Sequence, residues 1–125
     1  MLDRIVLVVD NNQDTRRVLR LYMEVAGCDV IEAEDGETAI QQAKEHRPNL
    51  ILMDLNMPNL DGFEATRRIR EIEGMKEVPI LILSSYIYDA EIKRRAMMEG
   101  ATDCLWKPND IVKLKTVVSK YLPPL

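Results

Sequence analysis

Uninterrupted apolar runs alternate along this chain with segments whose apolar positions recur at helical spacing. Ile5–Val9 (IVLVV) is the first run, rich in β-branched residues and short enough for a buried strand. A helical segment follows, with Val18, Leu21, Tyr22 and Val25 at i, i+3, i+4 and i+7 as its expected inner face. Gly27 is placed to end it in the left-handed conformation. Cys28–Ala33 (CDVIEA) alternates polar and apolar, the pattern of an edge strand with one wet face. EDGE then turns the chain into a short helix with Ile40 and Ala43 on one side, ending before Pro48.

The pattern repeats. Leu50–Met53 predicts a third strand, followed by a helix carrying Ala65, Ile69 and Ile72 that stops at Gly74. Ile80–Leu83 (ILIL), introduced by Pro79, predicts a fourth strand, and a helix runs from about Asp89 to Glu99 with Gly100 closing it. Thr102–Trp106 reads as a fifth, less apolar strand. Asn109 or Asp110 can cap a last helix with Ile111, Leu114, Val118 and Tyr121 inward, before Pro123 and Pro124. Strand and helix thus alternate five times, and each parallel pairing needs a crossover. The expected fold is α/β: a doubly wound parallel sheet with helices on both faces.

Composition narrows the partners. With 125 residues and 46% hydrophobic content, the chain is expected to be one domain over 1–125 with a real core. A net charge of −4 offers no overall positive field for nucleic acid. The arginine clusters Arg16/Arg17/Arg20, Arg67/Arg68/Arg70 and Lys93/Arg94/Arg95 read as solvated helix faces. The only cysteines, Cys28 and Cys104, lack metal-ligand spacing. No stretch resembles a signal peptide or reaches the ~20 apolar residues of a membrane span, so a cytoplasmic location with reduced thiols is expected.

The chemistry collects where strands end. In a parallel sheet all strand C-termini open onto one side, where ligands bind. IVLVV delivers Asp10 there, LILM delivers Asp54, ILIL delivers Ser84 and DCLW delivers Lys107. Two nearby acids repel unless a cation joins them. Lys107 supplies one charge, and a hard ion such as Mg²⁺ suits the oxygen-rich remainder. Asp54 then reads as a carboxylate nucleophile able to attack phosphorus, with the ammonium, hydroxyl and metal receiving the phosphoryl oxygens.

These residues carry a resemblance. VVDNNQ, MDLNMPNLDGFE, LSS and KP, in order and across essentially the whole length, resemble the receiver domain of two-component response regulators, closest in size to the single-domain chemotaxis type. The resemblance implies a flavodoxin-like strand order 2-1-3-4-5. It also implies that Asp54 accepts a phosphoryl group from a phosphohistidine on a sensor histidine kinase or histidine phosphotransfer protein. Asp10 helps hold Mg²⁺, the Asn56 backbone carbonyl is a further ligand, Lys107 contacts the phosphoryl group and Ser84 hydrogen-bonds to it. Pro58 and Gly62 shape the following loop, and Lys107–Pro108 is expected to be cis. Such a protein catalyses its own phosphoryl transfer and dephosphorylation without being an enzyme for others. Its output is a surface around the fourth helix, fifth strand and fifth helix that meets a downstream protein target.

Two positions depart from the family pattern. Asn11 stands where receivers have a second acid, which should weaken Mg²⁺ binding; alternatively Asn11 is only a turn residue or N-cap. Cys104 stands where the family has an aromatic switch residue. Trp106, two positions on, together with Tyr86 and Tyr88, is expected to form an altered output surface; alternatively Trp106 is a half-buried edge residue. His46 reads as a solvated helix-terminal residue and Met97/Met98 as core or helix-face packing. Competing functions are a phosphorylation-impaired receiver acting constitutively, an aspartyl-phosphate hydrolase and a flavin mononucleotide carrier. The hydrolase would want an acid at Asn56, and the carrier's phosphate would be repelled by DNNQD. No effector segment is expected after YLPPL.

Overall fold

The computed structural model describes residues 4–85, 89–107 and 114–122. Its strands are β1 (Ile5–Val9), β2 (Asp29–Ala33), β3 (Leu50–Asp54), β4 (Ile80–Ser84) and β5 (Asp103–Trp106). The helices are α1 (Gln13–Val25), α2 (Gly36–His46), α3 (Gly62–Arg70), α4 (Ala90–Met98) and α5 (Leu114–Tyr121). All strands are parallel, in the order β2-β1-β3-β4-β5, as expected. Tyr86, Tyr88, Pro108, the cap candidates Asn109 and Asp110, Ile111, Pro123 and Pro124 lie outside the described residues.

The central strands are apolar throughout because both of their faces are covered. Side chains alternate between faces with a period of two. Leu7, Val9, Ile51, Met53, Ile80 and Ile82 join one core with residues of α2, α3 and α4. Val6, Val8, Leu50, Leu52, Leu81 and Leu83 join the other with α1 and α5. Most helix starts are encoded locally: Asn12, Asp35, Asp61 and Asp89 each accept a backbone N–H of the following first turn. Gly27 and Gly100 take positive φ after α1 and α4, where a side chain would be strained. Among the described residues no helix is long and apolar enough to cross a membrane.

Three expectations need correction. The inner face of α1 is Leu19 and Met23, fully buried, whereas Val18, Leu21 and Val25 are 43%, 62% and 78% exposed. Six of the thirteen residues of this helix are apolar, and their period admits two stripes that share Tyr22. Only the stripe of Leu19, Met23 and Ala26 meets the sheet. Met97 and Met98 on α4 are exposed rather than core. Finally, the arginine clusters are not uniformly solvated. Arg16 turns inward, with 14% of its side chain exposed, and Arg70 reaches beneath the sheet.

Arg70 donates from Nε to the Gly100 carbonyl (2.8 Å) and from Nη1 to the Met75 (2.8 Å) and Val78 (2.6 Å) carbonyls. Its Nη2 meets Thr102 Oγ1 at 3.3 Å, and that hydroxyl in turn accepts the Ile80 N–H. One planar fork therefore ties the end of α3 to the entries of β4 and β5. Lysine cannot reproduce it, because a single ammonium cannot reach acceptors spread around a guanidinium. Arg70→Lys should lower stability by about 1–3 kcal/mol through the carbonyls left unpaired. Urea unfolding checks this; a midpoint equal to that of the wild type would contradict the role of the fork.

Candidate functional site

Asp10, Asp54 and Lys107 follow the strand rows that face α1 and α5: Val6–Val8, Leu50–Leu52 and Leu105. They therefore emerge on the same side of the sheet at its C-terminal rim, beside the β1/β3 junction where the winding reverses. Lys107 Nζ lies 2.6 Å from Asp10 Oδ2 and 3.3 Å from Asp54 Oδ1. Both acids are buried, Asp10 at 1% and Asp54 at 6% exposure. Of the four groups read from the sequence, the two carboxylates and the ammonium meet in the folded chain.

Backbone groups hold these side chains from behind. The Asn12 N–H donates to Asp10 Oδ1 (2.9 Å), and the Asn56 N–H approaches Asp54 Oδ1 (3.4 Å). The Lys107 N–H donates to the Ser84 carbonyl (2.9 Å), tying the ends of β5 and β4. Asp54 Oδ1 thus takes both of its donors, and Oδ2 accepts no hydrogen bond among the described residues. Ser84, buried at the end of β4, belongs to the opposite row and shares it with Cys104 and Trp106. At Gly62 a side chain is excluded, since a Cβ would collide with the Asp54 carbonyl and lie 2.9 Å from Leu55 Cα. The start of α3 can therefore pack directly on the end of β3.

Asn11 is exposed, and the cap of α1 is Asn12, so Asn11 is not the N-cap. Among the described residues no group of three or more acidic, histidine or cysteine side chains is placed to hold a metal. The donors expected from the sequence are the carboxylates of Asp10 and Asp54, the Asn11 amide and the Asn56 carbonyl. That set fits a magnesium ion, which takes one or two carboxylates and keeps water. Cys104 is buried in the core on the α2, α3 and α4 side, and burial pushes its thiol pKa up, against a reactive role. Trp106 is half-exposed and donates from Nε1 to the Ser85 carbonyl (3.2 Å). His46 is an exposed residue at the end of α2. Tyr86 lies outside the described residues.

One contributor was invisible in the sequence. Arg16 Nη1 donates to the Asp10 carbonyl at 2.7 Å. Its only sequence trace is an acidic residue, Glu32, near the end of the neighbouring strand, and nothing in the spacing links the two.

A sequence model of the response regulator receiver domain family matches residues 6–119. The chain belongs to this family. The receiver is similar in structure to the chemotaxis protein CheY4 of Vibrio cholerae (TM-score 0.90, 32% identity, 96% of this chain and 99% of that one). It is also similar to the receiver domain of the sensor histidine kinase PA1611 from Pseudomonas aeruginosa, described with a magnesium ion in its active site cleft. That match has a TM-score of 0.86 and 29% identity, covering 95% of this chain and 97% of that one. The same module occurs inside longer proteins. The chain is 38% identical over 110 residues to a protein-glutamate methylesterase/protein-glutamine glutaminase of Natronomonas pharaonis; the match covers 86% of this chain but only 30% of that protein's length. Receiver domains of two-component systems interact with sensor kinases and downstream targets, the role class to which this chain belongs.

Electrostatics in the receiver's rim are set by burial. Burial raises the Asp54 carboxyl pKa above its usual value; the Lys107 ammonium opposes the rise and Asp10 adds to it. A carboxyl with a higher pKa folded than unfolded contributes stability while protonated, and loses it as pH climbs through the raised value. Asp54→Asn should therefore raise the thermal midpoint by a few degrees at about pH 7. The gain should fade at about pH 3, where the wild-type carboxyl is protonated in both states. Thermal unfolding at both pH values tests this, and coincident midpoints at neutral pH would refute it.

Proposed function

We propose that this chain is a phosphoacceptor switch of a two-component phosphorelay, with Asp54 receiving a phosphoryl group from a phosphohistidine. The observation that supports this reading best is the asymmetric Asp54 carboxylate: Oδ1 is held by Lys107 and the Asn56 N–H, while Oδ2 accepts no hydrogen bond among the described residues. In the proposed transfer, Oδ2 forms the new P–O bond as the P–N bond to the donor imidazole breaks, and the imidazole leaves with its electron pair. Lys107 follows the charge onto the phosphoryl oxygens, and the Ser84 hydroxyl donates to one of them.

Magnesium would be held by Asp10, Asp54, the Asn56 carbonyl and the Asn11 amide; when bound it supplies charge neutralisation at the phosphoryl oxygens. Asn11 leaves the set one negative charge short of a three-acid site, so binding is weaker than such a site would give. The proposed donors are a sensor histidine kinase or a histidine phosphotransfer protein. The proposed output is a downstream protein reading the face around α4, β5 and α5, and the proposed setting is the cytoplasm. Incubation with acetyl phosphate and Mg²⁺ should add one phosphoryl mass to the intact protein, and Asp54→Ala should abolish the gain. A wild-type mass that stays unchanged would favour a constitutive interaction module instead.

With Cys104 lacking a ring, the proposed switch runs through Trp106. Phosphorylation draws Ser84 toward the new oxygens and so pulls on Ser85, whose carbonyl the indole N–H holds. Trp106 is the single tryptophan, so the protein's tryptophan emission reports the surroundings of this one indole. Emission should shift on phosphorylation in the wild type and stay constant in Asp54→Ala. Unchanged emission from fully phosphorylated protein would remove Trp106 from the switch.

A further inference from the structure

We infer that Arg16 is a positioning residue for the metal-binding edge of the site, acting through the backbone of Asp10. The inference rests on the phosphoacceptor reading above. Asp10 is held on every side. Its N–H donates to the Ala33 carbonyl (3.1 Å), Oδ1 accepts from the Asn12 N–H and Oδ2 from Lys107. The remaining group, its carbonyl, accepts from the Arg16 guanidinium. That carbonyl belongs to the peptide joining Asp10 to Asn11. Fixing its direction fixes the plane from which Asn11 is presented to the rim.

The guanidinium is itself held. Arg16 Nε donates to Glu32 Oε1 at 3.1 Å, and the other Glu32 oxygen takes Arg20 Nη1 at 2.5 Å. Gln42 Nε2 donates to the Glu32 carbonyl at 3.1 Å, joining α2 to the same chain of contacts. Burial pushes the Glu32 carboxyl pKa up, but the Arg20 and Arg16 guanidiniums together outweigh it and hold it below the usual range. Glu32 therefore stays ionised and offsets the Arg16 charge, so Arg16 can sit behind a cation site without repelling the cation. The planar fork joins a carbonyl and a carboxylate at once, which a lysine ammonium reproduces only in part.

Partners behind a metal ligand commonly govern affinity by about 10–100-fold. Calorimetric titration of Mg²⁺ into the unphosphorylated protein should show Arg16→Ala weakened by roughly tenfold and Arg16→Lys in between. Glu32→Gln, which loosens the guanidinium, should weaken binding in the same direction. The loss in acetyl phosphate phosphorylation rate should shrink as Mg²⁺ approaches saturation. Arg16 borders an open polar crevice of about 460 Å³ lined by Gln13, Glu32, Ala33, Glu34 and Thr38. Added ethylguanidinium should therefore restore Mg²⁺ affinity to Arg16→Ala and do nothing for the wild type. A purely structural role would lower the urea midpoint and leave Mg²⁺ affinity untouched, and that result overturns the inference. If Arg16→Ala does not fold, wild-type affinity in both Arg16→Lys and Glu32→Gln overturns it equally. Failure of the phosphoacceptor reading is separate: the wild type would gain no phosphoryl mass, whatever the Arg16 variants bind.

Discussion

Two carboxylates buried at the end of a parallel sheet, with one ammonium between them, carry more negative charge than the fold neutralises. Lys107 reaches both Asp10 and Asp54, and no second side-chain cation bonds to either carboxylate among the described residues. An arrangement of that kind is costly to bury and has an affinity for positive charge built into it. The rest of the molecule can be understood as what holds these groups together despite the repulsion. All five strands point the same way, a glycine lets α3 press against the end of β3, and backbone N–H groups occupy one oxygen of each acid.

The rigidity of that support separates the site from the surfaces that would respond to it. Asp10 and Asp54 sit at the ends of strands whose side chains are buried from Val6 to Val9 and from Leu50 to Met53, where displacement would disturb close packing. Ser84 lies in the other row, with Cys104 and Trp106, and leads directly into the segment before α4. On the proposed reading, chemistry on one row and response on the other is a division made by the pleat of a strand. Cys104 gives the row of Ser84 a small side chain. Trp106 returns an aromatic ring two residues later, where it is half-exposed and tied to Ser85.

Much of this was legible in the sequence because the relevant signals are contiguous. Each buried strand is an unbroken apolar run, and the residue ending it is automatically at the rim, so Asp10, Asp54, Ser84 and Lys107 could be placed by counting. Helix faces were harder. In α1 the apolar residues satisfy two overlapping stripes, and only the sheet decides that Leu19 and Met23 face inward while Val18, Leu21 and Val25 do not. Arg16 and Arg70 escaped for a different reason. A long side chain with a terminal fork can bond to carbonyls far away in sequence, and carbonyls have no residue identity to read. Asn11 and Asn12 show the limit of local capping rules: both are good caps, and the geometry of the chain leaving β1 selects the second.

Arg70 has a consequence for how the two ends of the sheet answer to their surroundings. Every acceptor it uses is a carbonyl or a hydroxyl, so nothing it holds gains or loses a proton over the range in which carboxylates titrate. The rim, in contrast, carries the Asp54 carboxyl, whose charge depends on acidity, and ion pairs that dissolved ions contest. Solution conditions thus act on the molecule unevenly: acidity or a competing cation changes the charge at the upper edge while the floor under β4 and β5 stays knotted. A chain built this way can be perturbed locally without being unfolded.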